Sequence, residues 1–253
     1  MQYLYVFHRE NVSASWKGTD IPMFHVQMAG YSFTVDNRFS YLERLCRDYI
    51  TDKPGEIVSV DDEDIARERT DGENWSPGYL ESLAVYRKIC ERLLPRNIVL
   101  FHCSALEFQH RAYLFAAPSG TGKSTHTSLW RARFGHQVRM INDDKPLLHI
   151  DADEVTVYGT PFAGKEGLQE NAFAPVKDIV ILHQAKENSI RRLSSQEAYP
   201  LLLNQTYRTR DPAGLLQTLA LVQRLAELPV YSLGCTISQE AVELALRALA
   251  ENL

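Results

Sequence analysis

Apolar positions fall in two rhythms along this chain. The segments MQYLYVF (1–7) and MFHVQMAGYSFTV (23–35) alternate apolar with polar and carry β-branched and aromatic side chains, the pattern of half-buried strands. After Asp36 and Asn37 the rhythm turns helical through Tyr41, Leu42, Leu45 and Ile50, and the charged stretch 61–75 reads as exposed. Ser76 as cap, Pro77 in the first turn and Leu80, Leu83, Tyr86, Cys90 and Leu93 at spacings of three and four predict a helix that Pro95 ends. Then IVLFHCSAL (98–106) and RAYLFAA (111–117) read as two strands joined by a turn around Glu107 to His110. The second leads into APSGTGKST and a helical stretch, THTSLWRARF. QVRMIN, PLLHI, EVTVY and DIVILH are further strands. Ser194 with Glu197 forms a capping box, and Asp211-Pro212 opens a helix with Leu215, Leu219 and Val222 on one face. VYSLG is a last strand before a final helix through Leu244, Leu246 and Leu249. Interleaved strands and helices predict an α/β fold, and the paired strands of 98–117 predict a mixed sheet flanked by helices. A boundary near Pro95 divides a smaller α+β part, 1–95, from a larger part, 96–253.

Composition narrows the function classes. Lys and Arg total 27 against 32 Asp and Glu in 253 residues, a net charge of −5 with no basic footprint for nucleic acid or an anionic membrane. No apolar run approaches the ~18 residues of a membrane span. MQYLYVFHRE has no charged segment leading into a long apolar one, so it does not read as a signal peptide. Cys46, Cys90, Cys103 and Cys235 make no CxxC pair, and we read them as reduced thiols of a cytoplasmic protein.

The strongest chemical signal is Ala117-Pro118-Ser119-Gly120-Thr121-Gly122-Lys123-Ser124-Thr125, a P-loop pattern whose usual first glycine is Ala117. Gly120 and Gly122 let successive backbone N–H groups point into one concavity, and the helix that follows adds free N–H groups. Ser119 to Thr125 would cradle the phosphates of ATP, with Lys123 on the β/γ-phosphates and the Ser124 hydroxyl on Mg²⁺. A magnesium-bound triphosphate also needs carboxylates at a nearby strand end, and QVRMIN runs into Asp143 and Asp144. One acid completes a metal site, which suffices for an ATPase. A second offers a base for an acceptor hydroxyl, which favours a kinase.

On these residues the stretch from His102 to about Leu182 resembles the catalytic domain of the HPr kinase/phosphorylase family, whose P-loop fold is shared with phosphoenolpyruvate carboxykinase. The resemblance rests on His102 ahead of the loop, SGTGKST, the Asp143-Asp144 pair and YGTPFAGK (158–165). It implies an ATP- and Mg²⁺-dependent transfer of a phosphoryl group to a serine hydroxyl, with His102, Asp143 and Asp144 as catalytic residues. Thr125 stands where the family usually has Glu, and Val157-Tyr158-Gly159-Thr160 replaces its Glu-x-Arg-Gly signature. These departures point away from HPr itself and toward a peptide serine or a small alcohol as acceptor.

In this reading Ser124 and Asp144 hold the metal, Asp143 takes the acceptor proton with His102 nearby, and Lys165 neutralises charge on the transferred group. Arg208 and Arg210 could supply a similar clamp but read first as charges at a helix end, and Arg191-Arg192 reads as an exposed pair. Trp130 and Phe134 read as core, and His110, His126, His136, His149 and His183 lack metal-ligand spacing. A nucleotide-gated peptide-binding protein and a simple ATPase are the alternatives. A carboxykinase-like lyase needs a carboxylate-binding cluster for which the chain is short.

Overall fold

A computed structural model describes residues 23–70 and 72–250, so the strand expected at 1–7 lies outside the described residues. The described chain falls into two compact units that meet in sequence between Arg96 and Asn97.

The first unit is a three-stranded sheet with helices. Strands β1 (Phe24–Met28) and β2 (Tyr31–Asp36) form an antiparallel hairpin closed by Ala29 and Gly30, both in left-handed conformation. Strand β3 (Glu56–Ser59) adds parallel to β2. Helix α1 (Ser40–Leu45) is shorter than its apolar pattern predicts, because the chain tightens into a 3-10 turn at Arg47–Tyr49 and Ile50 bridges to Val26 instead. The stretch expected to be exposed contains helix α2 (Asp62–Ala66), whose buried Asp64 pairs with Arg87 and Lys88 of helix α3 (Pro77–Leu93). Ser76 caps α3 as expected, its side chain accepting from Tyr79 N–H.

The second unit is a mixed α/β fold around a nine-stranded sheet. One wing contains β4 (Ile98–Leu100), β8 (Leu147–Ile150) and β9 (Val155–Tyr158), all antiparallel. The other contains β5 (Ser104–Phe108), β6 (Arg111–Ala116), β7 (Val138–Asn142), β11 (Ser189–Arg192) and β12 (Val230–Cys235). The long strand β10 (Phe173–Gln184) joins the wings: its first residues pair antiparallel with β9, and the rest run parallel to β6 and β12. Helix α4 (Lys123–Phe134) and α7 (Gln239–Ala250) pack with Leu106, Phe115, Trp130, Val180 and Leu233 in one core, while α5 (Ser195–Gln205) pairs with α6 (Pro212–Leu225).

The second unit departs from expectation as well. The apolar run 98–106 is not one strand: it breaks at Phe101–Cys103, because Phe101 bridges to Thr206 and its N–H goes to Pro146 O. Strand β11 carries the Arg191-Arg192 pair in an antiparallel ladder with β12, although both side chains are exposed as expected. Among the described residues no helix is long and apolar enough to cross a membrane.

Strand direction positions the site. Strand β5 is antiparallel to both β6 and β7, so β6 and β7 run the same way, and β10 and β12 are parallel to β6. Four strands therefore end, and β5 begins, at one edge of the sheet. Every chemical group of interest hangs from that edge.

Candidate active site

The glycine loop leaves the end of β6 and enters α4 at Lys123. Gly120 (φ 80°) and Gly122 (φ 120°) adopt backbone conformations that a Cβ would strain. Gly122 is the residue before the first helical turn and has no side chain to cap it, so the leading N–H groups of α4 are left for another acceptor. Ser119, Gly120 and Ser124 are exposed, Thr121, Gly122 and Thr125 half-buried. Among the described residues the Ser124 hydroxyl makes no hydrogen bond. Ala117 is fully buried, and its carbonyl accepts from Lys123 Nζ at 2.9 Å.

Lys123 is itself buried, and that burial lowers the pKa of its ammonium, with the charge of Asp144 pulling the other way. Its Nζ lies 3.2 Å from His102 Nε2, and the same ring nitrogen lies 3.1 Å from Asp144 Oδ1. His102 reaches this place from the break before β5, not from within a strand. The second oxygen of Asp144 pairs with Lys145 Nζ, which is 2 % exposed. Burial alone would raise the Asp144 pKa. Lys145 and His102 outweigh it and hold the carboxyl well below the usual range, so Asp144 is ionised.

Asp143 has the opposite character. Its Oδ1 accepts from Gly164 N–H at 2.6 Å, while Oδ2 is buried without a hydrogen-bond partner. Burial, reinforced by the charge of Asp144, pushes its pKa up despite the Gly164 bond. The two adjacent acids are thus driven apart in pKa, one toward an ionised anion and one toward a proton acceptor.

Asn142 builds the turn that holds them. Its Oδ1 accepts from the N–H groups of Asp144 and Lys145, both at 2.8 Å, and its Nδ2 donates to Thr160 O at 3.1 Å and Phe162 O at 3.4 Å. Thr160 Oγ1 donates to Lys145 O at 2.8 Å, and Ser104 Oγ to Asp143 O at 2.9 Å. The segment 160–164 is thereby fastened beside the acids and delivers Gly164. A Cβ on Gly164 would lie 3.0 Å from Asp143 Oδ2. Lys165 follows, exposed, and makes no hydrogen bond or ion pair among the described residues.

The structure therefore gathers Lys123, His102, Asp143 and Asp144 at one sheet edge, with Ser124 in the first turn of α4 and Lys165 next to Gly164. It leaves Arg208 and Arg210 exposed, with Arg208 donating to Leu203 O near the end of α5. Trp130 and Phe134 are packed in the core, and His126 accepts from Trp130 Nε1 at 3.1 Å, its buried ring falling to a pKa of about 4. Sequence reasoning missed Lys145, Asn142 and Gln205, whose side chain meets His102 Nδ1 at 3.1 Å. For Asn142 and Lys145 a signal existed, since polar residues flanking an acidic pair at a buried strand end need partners. For Gln205 there was none.

No family model matches the chain, and no curated protein matches it. Among solved structures it is similar to the Hpr(Ser) kinase/phosphatase from Coxiella burnetii, with 11% sequence identity over 60% of this chain and 88% of that one and a TM-score of 0.35.

Proposed function

We propose that this protein is an ATP- and Mg²⁺-dependent kinase that passes the γ-phosphoryl group to a hydroxyl, either a peptide serine or a small alcohol. One observation carries the reading: Lys123 of the glycine loop and Asp144 of the acidic pair meet at a single His102 nitrogen, with the unpartnered oxygen of Asp143 on the adjoining residue. A loop that only shaped a strand-to-helix turn would not need buried charges of both signs beside it.

The donor set fits a magnesium ion that takes most of its ligands from nucleotide and water. Among the described residues no three His, Cys, Asp or Glu side chains gather as a complete ligand set, whereas Ser124 offers an open hydroxyl and Asp144 an ionised carboxylate. Bound there, the ion would offset negative charge on the phosphate oxygens. The rest falls to the chain's own groups. The loop N–H groups and Lys123 hold the triphosphate in line. His102 keeps Asp144 oriented. Asp143, with its raised pKa and free Oδ2, accepts the hydroxyl proton as the acceptor attacks, and Lys165 stabilises charge on the transferred group.

The test is incubation with γ-labelled ATP, Mg²⁺ and serine peptides or small alcohols, read by mass spectrometry. We expect a phosphorylated product, and in Asp143→Asn a transfer rate reduced ~10²–10⁴-fold with ATP still bound. Undiminished transfer in that variant removes Asp143 from the mechanism. Phosphate release without any acceptor product would make the protein an ATPase, and ATP-dependent retention of an unmodified peptide would make it a binding protein.

A further inference from the structure

The last residue of α5 is held against His102 by main-chain bonds. Segment 205–207 runs beside 100–102: His102 N–H donates to Gln205 O at 2.7 Å, Tyr207 N–H donates to Leu100 O at 3.0 Å, and Phe101 and Thr206 form a bridge between them. The Gln205 side chain therefore has little choice of neighbour. One end of its amide lies 3.1 Å from His102 Nδ1, 3.3 Å from Ala117 O and 3.3 Å from His102 O.

Two of those three neighbours are carbonyl oxygens, which only accept, so this end of the amide is its NH2 group. An NH2 group cannot accept from a ring N–H. His102 Nδ1 must then present its lone pair, which places the ring hydrogen on Nε2, facing Asp144 Oδ1 at 3.1 Å. The other neutral tautomer would set two donors against each other at Nδ1 and a lone pair against a carboxylate at Nε2. The imidazolium would repeat the first clash. The Lys123 ammonium, 3.2 Å from the same Nε2, turns one of its three hydrogens to Ala117 O, and rotation of the group lets the other two straddle the ring N–H, so Asp144 Oδ1 remains the acceptor that Nε2 faces.

We propose that Gln205 is a positioning residue: its amide fixes His102 as the neutral Nε2–H tautomer aimed at Asp144 and ties that ring to the carbonyl at the start of the glycine loop. Its consequence for turnover rests on the kinase reading; the tautomer does not.

The experiment is ¹⁵N NMR of ¹⁵N-histidine-labelled full-length protein at pH 7.5 without ligand, His102 being assigned by its absence in His102→Gln. In the wild type, Nδ1 should resonate as an unprotonated nitrogen and Nε2 as a protonated one. Gln205→Glu keeps the shape but offers only acceptors, and should move a hydrogen to Nδ1. A wild-type spectrum with Nδ1 protonated overturns the proposal, whether or not the variants fold. If phosphotransfer is present, Gln205→Leu should lower kcat by about tenfold or more, as removal of an outer-shell partner does, with the KM for ATP little changed. A wild-type kcat in Gln205→Leu also overturns it. The expected spectrum in a protein that transfers no phosphate supports the tautomer and defeats the kinase reading instead.

Discussion

Replacing Asn142 by Ala should unfasten the turn that carries both acids, and the cost can be worked from its bonds. The side chain is fully buried, and its oxygen is the acceptor for the N–H groups of Asp144 and Lys145. Alanine leaves both donors without it. A buried donor stripped of its partner costs about 1–3 kcal/mol. The Lys145 bond is buried and the Asp144 bond only partly so, which lets water recover some of the second loss. The carbonyls of Thr160 and Phe162 lose a donor as well, a smaller penalty because under-satisfied carbonyls are better tolerated. The sum is about 3 kcal/mol, and with a urea m-value of about 2 kcal/mol/M the midpoint should fall by about 1.5 M. Trp130 fluorescence reports the transition cleanly in a Trp16→Phe, Trp75→Phe background, since Trp130 lies in the core of the unit that contains Asn142. Phosphotransfer should fall further than ATP affinity, because the glycine loop lies outside the turn. A midpoint within about 0.3 M of the parent would refute the reasoning, since it would mean that the turn holds itself without Asn142.

Three other outcomes are expected. Lys123→Ala removes the ammonium of the glycine loop and should weaken ATP binding by tenfold or more, on the order of 1.4 kcal/mol, in a calorimetric titration. Gly164→Ala places a methyl group 3.0 Å from Asp143 Oδ2 and 3.4 Å from Asp144 Cβ, so the phosphotransfer rate should drop about tenfold or more while nucleotide affinity holds. Asp178 on β10 is buried, with neither carboxyl oxygen partnered among the described residues, and burial pushes its pKa up to about 6 from an unfolded value near 3.9. A carboxyl with a raised folded pKa stabilises the fold below the unfolded value and loses that contribution as pH climbs through 6. Asp178→Asn should therefore melt above the wild type at pH 8, and the gap should close below about pH 4, as scanning calorimetry would show.

Local physics made much of the second unit legible. Capping residues, alternation and the glycine spacing each act over a few positions, so α4, α5, α6 and the strands β7 to β9 fall where their patterns indicate. What stayed hidden depends on partners far away in sequence. Nothing in IVLFHCSAL marks a break, because Thr206 and Pro146 impose it. Strand β3 shows too little apolar pattern to announce itself, with only Val58 buried, and its parallel pairing to β2 is what orders it. The glycine loop and the acids could be named from sequence, but their opposed pKa directions could not. Those come from Lys145 and His102 on one side and an isolated buried oxygen on the other. Gln205 lies 103 positions from His102 along the chain, beyond the reach of any local signal.

The hairpin between β5 and β6 turns over Gln109 and His110, both in left-handed backbone, and the His110 side chain is wholly open to solvent. That turn sits at the far end of β6 from the glycine loop, a separation of ~20 Å for a six-residue strand at ~3.3 Å per residue. A dye, a biotin or a surface tether fixed at position 110 would thus give experimenters a handle on the protein without crowding the glycine loop. Immobilised molecules would present the glycine-loop end outward, ready for peptide libraries to be washed across it.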